Sequence, residues 1–136
     1  MTKEDATALK DELVRKLTGL RDEDAIAIQA VYQASDIYRG PYLDAAPDLI
    51  VGYAEGYRAA WDAATGRVTS TVFEDNRKAW CGDHCVDPPL VPGVLFSNLR
   101  ITSDDPGIED LAPTALSLFG VDVPAWMEGR SVIAAA

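Results

Sequence analysis

The chain contains a single histidine and only two cysteines in 136 residues. One imidazole with its immediate neighbours holds at most part of an active site. Two cysteines are too few for a disulfide scaffold and read as reduced thiols. Basic residues are also scarce: 12 Lys and Arg stand against 22 Asp and Glu, for a net charge of −10. Such an excess repels nucleic-acid phosphates and anionic lipid headgroups, which argues against binding to either. No stretch of about 18 consecutive apolar residues occurs, so no transmembrane helix is expected. The first residues, Met1-Thr2-Lys3-Glu4-Asp5, lack the basic-then-apolar order of a signal peptide, and the expected location is cytoplasmic. There is no glycine-rich phosphate cradle, no Gly-x-Ser-x-Gly turn, no internal repeat and no low-complexity linker.

Apolar residues make up 48% of the chain, enough for a hydrophobic core and unlike a disordered sequence. The length suits a single domain over residues 1–136. The first segment reads as a helix. Thr2 caps it, with Asp5 three residues on, and Ala6, Leu9, Leu13 and Leu17 form an apolar stripe. Asp11 to Arg15 and Glu12 to Lys16 are favourably ordered i,i+4 pairs, and Gly19 ends the helix.

The period then changes. Ile26, Ile28, Ala30 and Tyr32 alternate as in a strand. Further strands are expected at Asp48–Tyr53, Thr69–Phe73 and Pro92–Ser97, separated by turn signals such as Gly40-Pro41. A closing helix runs from Asp110 to Phe119, with Asp110 as N-cap, Pro113 in the first turn and Leu111, Ala115, Leu118 and Phe119 along one face. Residues 121–136 read as mostly irregular. Strands mixed with two clear helices predict an α/β domain with a central sheet of about four to five strands, an N-terminal helix and a C-terminal helix.

The densest chemistry lies in Trp80-Cys81-Gly82-Asp83-His84-Cys85-Val86-Asp87-Pro88, a polar loop closed by Pro88-Pro89. It holds the histidine, both cysteines and two carboxylates. The spacing Cys81-x3-Cys85 with His84 between is not a finger signature, because fingers draw ligands from two separated knuckles. A Cys81–Cys85 disulfide would close a very small loop. Asp83 and Asp87 read as solvated loop carboxylates rather than an acid/base pair. Glu74-Asp75-Asn76 reads as a turn at a strand end. Tyr53, Tyr57 and Trp61 read as core or interface, and Thr69, Ser70 and Thr71 as strand residues rather than nucleophiles.

The block Tyr38-Arg39-Gly40-Pro41-Tyr42, Ala46-Pro47-Asp48-Leu49-Ile50, Glu74-Asp75-Asn76, Gly82-Asp83-His84 and Val91-Pro92-Gly93-Val94-Leu95-Phe96-Ser97-Asn98 resembles the C-terminal part of type I phosphodiesterase/nucleotide pyrophosphatase proteins. These belong to the alkaline phosphatase superfamily. Glu109 to Leu116 resembles that superfamily's closing helix, and Met127-Glu128-Gly129-Arg130-Ser131 a tail motif found also in sulfatases. The resemblance covers roughly residues 32–133. It implies a partial alkaline-phosphatase-like core. It also implies a parent reaction in which two metal ions, zinc or another divalent metal, assist hydrolysis of a phosphoester or nucleotide substrate.

By the same resemblance His84 matches the last histidine ligand of the metal site. Asp83 does not match the superfamily's Asp-His ligand pair, which lies earlier in the full-length chain. The nucleophile and the other ligands have no counterpart here. The chain therefore reads as a metal-site-contributing C-terminal part, inactive alone and completed by a missing N-terminal catalytic part. The alternative is a non-catalytic binding or oligomerisation module that reuses the fold piece, for instance as a homodimer. A third option is a small zinc protein built on Cys81, His84 and Cys85.

Overall fold

The computed structural model describes residues 1–80, 82 and 84–134. These divide into two compact units, Met1–Pro92 and Gly93–Ala136.

In the first unit, helix α1 spans Lys3–Leu17. Its start is the capping box that the sequence predicts. The Asp5 N–H donates to Thr2 Oγ1 at 3.1 Å, and the Thr2 N–H donates to Asp5 Oδ2 at 3.0 Å. These backbone and side-chain hydrogen bonds hold the Asp5 carboxyl below its usual range. Replacing Thr2 with alanine orphans the N3 amide, and urea unfolding is expected to show about 1 kcal/mol of lost stability. Lys16 pairs with Glu12 at 2.5 Å, which lowers the Glu12 carboxyl from its ordinary value. Asp11 accepts a hydrogen bond from Gln33 Nε2 at 2.7 Å. The helix ends at Thr18, and Gly19 beyond it takes the left-handed conformation with φ 74°.

Two antiparallel pairs follow. β1 (Arg21–Asp22) turns through Glu23 onto β2 (Ala25–Ile26). β3 (Ile28–Gln33) runs into a short helix, α2 (Ala34–Ile37), and pairs with β4 (Leu49–Tyr53). The register sets Tyr32 against Ile50 and Ala30 against Gly52, with a bulge between Ile28 and Ala30. Helix α1 packs on β3, and the Val31 N–H donates to Thr18 Oγ1 at 3.2 Å. Ala27, Ile28, Val31, Ala34 and Ala54 are the buried apolar residues described in this unit.

The second unit holds helix α3 (Leu111–Leu118) and an isolated antiparallel bridge between Ile101 and Ile133. The Thr102 N–H donates to the Val132 carbonyl at 2.8 Å, and the Ala134 N–H donates to the Arg100 carbonyl at 3.2 Å. Val132 and Pro113 are fully buried.

Among the described residues the chain is mixed α/β with two two-stranded antiparallel sheets and three helices. A central sheet of four to five strands is not among them. Residues 69–73 and 92–97 carry no strand. Val72 is 82% exposed and Phe96 is 91% exposed. Their β-branched and aromatic side chains favour extended backbone, but a strand also requires a neighbour to receive its backbone hydrogen bonds, and none is supplied. The face of α3 also differs from expectation. Leu111, Leu118 and Phe119 are exposed, and the buried side is Asp110, Pro113 and Thr114. No helix among the described residues is long and apolar enough to cross a membrane.

Candidate functional site

The loop that carries His84 leaves an irregular stretch and reaches the end of β4. There Val86 forms a parallel bridge with Tyr53, and the Asp87 N–H donates to the Tyr53 carbonyl at 2.9 Å. Pro88–Leu90 form a single 3-10 turn, in which the Leu90 N–H donates to the Asp87 carbonyl at 2.9 Å. Pro88 forces the residue before it out of the helical region, and Asp87 accordingly sits at φ −59°, ψ 128°.

Asp87 is the unexpected member of this loop. The sequence reads it as solvated, yet it is 5% exposed. Its Oδ1 accepts a hydrogen bond from the Tyr32 hydroxyl at 2.8 Å. That bond, then the partial burial of the ring, raises the Tyr32 phenol above its ordinary value, because losing the proton would set two negative charges together. Gly52 lies directly beneath. A Cβ at that position would stand 2.2 Å from Asp87 Oδ1 and 3.0 Å from its Cβ. The available signal was the glycine inside an otherwise apolar strand, which marks a close approach by another group.

His84 and Cys85 are exposed. Burial, and then the Cys85 thiol, push the Tyr53 phenol above its ordinary value. The readings that involve Cys81 and Asp83 lie outside the described residues. Asn76 Nδ2 donates to the Trp80 carbonyl at 2.7 Å and Asn76 Oδ1 accepts from the Lys78 N–H at 3.1 Å, so this residue shapes the turn before the loop. Tyr57 meets Phe73 edge to face with ring centroids 6.1 Å apart, whereas Trp61 is 63% exposed.

Among the described residues no three His, Cys, Asp or Glu side chains gather to hold a metal ion. A zinc site takes four ligands, so His84 with its described neighbours does not make one. Among the described residues the loop exposes the His84 imidazole and the Cys85 thiol.

A second constellation, in the other unit, was read from sequence as a simple helix cap. The Asp110 carboxylate does not cap α3. Its Oδ2 accepts from the Gly107 N–H at 3.0 Å and its Oδ1 from the Arg130 N–H at 2.8 Å. Thr114 Oγ1, also buried, accepts from the Val132 N–H at 3.0 Å. Residues 130–132 are thus held to α3 by two side-chain acceptors. The two backbone hydrogen bonds, Arg130 first, hold the Asp110 carboxyl below its usual value. A carboxyl lowered on folding contributes stability above its unfolded pKa and loses it as pH falls through the lowered folded value. The protection factors of the Arg130 and Val132 amides, corrected for the intrinsic pH dependence of exchange, are expected to hold down to about pH 4 and to fall below it. Asp110→Asn is expected to flatten that acid dependence.

No protein-family model, curated protein or solved structure matches the chain.

Proposed function

We propose that this chain is the C-terminal, ligand-contributing part of a metal-dependent hydrolase of the phosphodiesterase/nucleotide pyrophosphatase kind. In this reading it is inactive by itself and presents His84 to a catalytic part that carries the nucleophile and the remaining ligands. The resemblance quoted from residues 38–42, 82–84 and 91–98 supplies the family.

The supporting observation is the set of exposed apolar side chains that flank His84 in the sequence. Trp61, Val68, Val72, Trp80 and Val91 are exposed, Val68 to 92%. The chain exposes 11230 Å² in all. Two separately compact bodies of the two units' sizes would expose about 8,300 Å² together. Large apolar side chains left exposed in this number are a mark of surfaces covered by another body. In the completed protein, residues 69–73 and 92–97 would gain strand partners from the missing part, as their composition favours.

The same surface is open to a second copy of the chain, which is the module reading. A net charge of −10 on each copy works against that association. A stable dimer mass on size-exclusion chromatography with light scattering would favour the module. A monomer or a polydisperse aggregate favours the incomplete hydrolase.

The first test is hydrolysis of a chromogenic phosphodiester by the purified chain with added zinc or manganese, beside His84→Ala. Neither protein is expected to turn over substrate. Turnover that disappears in His84→Ala would mean that a complete site exists within this chain and would overturn the proposal.

A further inference from the structure

We infer that Arg67 and Lys78, gathered on Asp62, form a binding site for a phosphate group. The site uses nothing of the His84 reading and stands or falls apart from it.

Charge is unevenly spread along this acidic chain. Residues 58–80 carry four basic side chains, Arg58, Arg67, Arg77 and Lys78, against three acidic ones, Asp62, Glu74 and Asp75. The rest of the chain carries eight against nineteen. An anion repelled by the remainder of the molecule meets a locally positive stretch here.

Two turns bring two of these cations together. The 3-10 turn Trp61–Thr65 ends at Gly66, which takes the left-handed conformation with φ 75°, and the Arg67 N–H donates to the Asp62 carbonyl at 3.4 Å. The Arg67 guanidinium then lies with Nη1 3.3 Å from Asp62 Oδ2. Lys78 comes from the second turn. Its N–H donates to Asn76 Oδ1 at 3.1 Å, and Asn76 Nδ2 and Arg58 Nη2 both donate to the Trp80 carbonyl, at 2.7 and 3.4 Å. The Lys78 ammonium lies 3.4 and 3.3 Å from the two Asp62 oxygens.

One carboxylate thus faces two cations, which leaves one positive charge in excess. All three contacts are longer than the about 2.7–2.9 Å of a tight charge-assisted bond. Among the described residues the Arg67 and Lys78 side chains have no acceptor besides Asp62. Both are exposed, at 64% and 60%. A guanidinium fork beside an ammonium, each with N–H groups to spare, suits an oxyanion that accepts several such bonds at once, as phosphate does.

The tryptophans supply the readout. Trp61 adjoins Asp62, the Trp80 carbonyl closes the Lys78 turn, and Trp126 lies in the other unit as an internal reference. Titration with inorganic phosphate at constant ionic strength, followed by NMR of the indole N–H groups, is expected to shift Trp61 and Trp80 saturably and to leave Trp126 in place. Arg67→Gln and Lys78→Gln are each expected to weaken phosphate binding about fivefold, and Asp62→Asn, which removes the competing carboxylate, to tighten it by a similar factor. Lys16→Gln removes a cation paired with Glu12 on α1 and is expected to leave the affinity unchanged. All four substitutions fall on exposed side chains, which carry little of the fold. Phenyl phosphate separates the sources of the ligand: tighter binding than inorganic phosphate marks a phosphoester as the occupant, and equal or weaker binding marks the free ion. Shifts no larger than those caused by sodium chloride, or an affinity that Lys78→Gln and Asp62→Asn leave unchanged, would overturn the inference.

Discussion

Gly129→Ala is expected to release residues 130–134 from α3 and to cost the Gly93–Ala136 unit about 3 kcal/mol. A Cβ at Gly129 would stand 2.2 Å from the Glu109 carbonyl oxygen, 2.6 Å from its carbon and 3.0 Å from the Asp110 nitrogen. All three are backbone atoms in the 3-10 turn that leads into α3, so no side chain can swing aside to make room. The chain around residue 129 must retreat instead. Retreat breaks the Arg130 N–H bond to Asp110 and strains the Val132 N–H bond to Thr114, orphaning two buried acceptors at once. Hydrogen exchange at Arg130, Val132 and Ala134 should rise together. Gly93→Ala is the control, because nothing lies within 4 Å of a Cβ there, and it should change stability by no more than about 0.5 kcal/mol. Equal stability of the two variants would contradict the proposed role of Gly129.

Gly52→Ala is expected to destabilise the first unit by about 2–4 kcal/mol, combining overpacking with the loss of a buried hydrogen bond. The group in the way here is a side chain, Asp87. It could yield only by leaving the Tyr32 hydroxyl and pulling its own backbone off Tyr53. For a unit of this size the melting temperature should fall by roughly 10–20 °C. Gly82→Ala, in the same loop but with nothing within 4 Å of a Cβ, should melt like the wild type. An unchanged melting temperature in Gly52→Ala would mean that Asp87 is not held in place as described.

Local structure was legible in the sequence wherever short-range chemistry decides it. The Thr2 capping box, the left-handed Gly19 after α1 and the helix closed by Gly120 all depend on neighbours a few residues away, and the strands at 28–33 and 49–53 showed because each finds its partner in the other. The segments at 69–73 and 92–97 were misread because a strand is a pairing, and composition reports only the willingness to pair. The face of α3 was misread for a related reason. Pro113 and Thr114 are buried by the tail that returns over them at Val132, and helical periodicity does not show that return.

The candidate site divides in the same way. His84 stood out because it is the only histidine, but the buried Asp87 at the end of its loop did not. Asp87 looks like an ordinary solvated carboxylate until β3 is set beside β4, 55 residues of sequence separate it from Tyr32, and nothing local hints at that hydrogen bond. Asp110 was recognised as a cap residue, but its actual partner is the Arg130 amide 20 residues downstream.

The most direct measurement is reconstitution. The chain would be mixed with the N-terminal catalytic part of a phosphodiesterase of the resembled family, cut before its last histidine motif, and assayed on a chromogenic phosphodiester with zinc. If this chain supplies His84 to a shared site, the mixture should hydrolyse substrate where neither part does, and His84→Ala should abolish the gain. No gain with the wild-type chain, or a gain that survives His84→Ala, would contradict the proposed role.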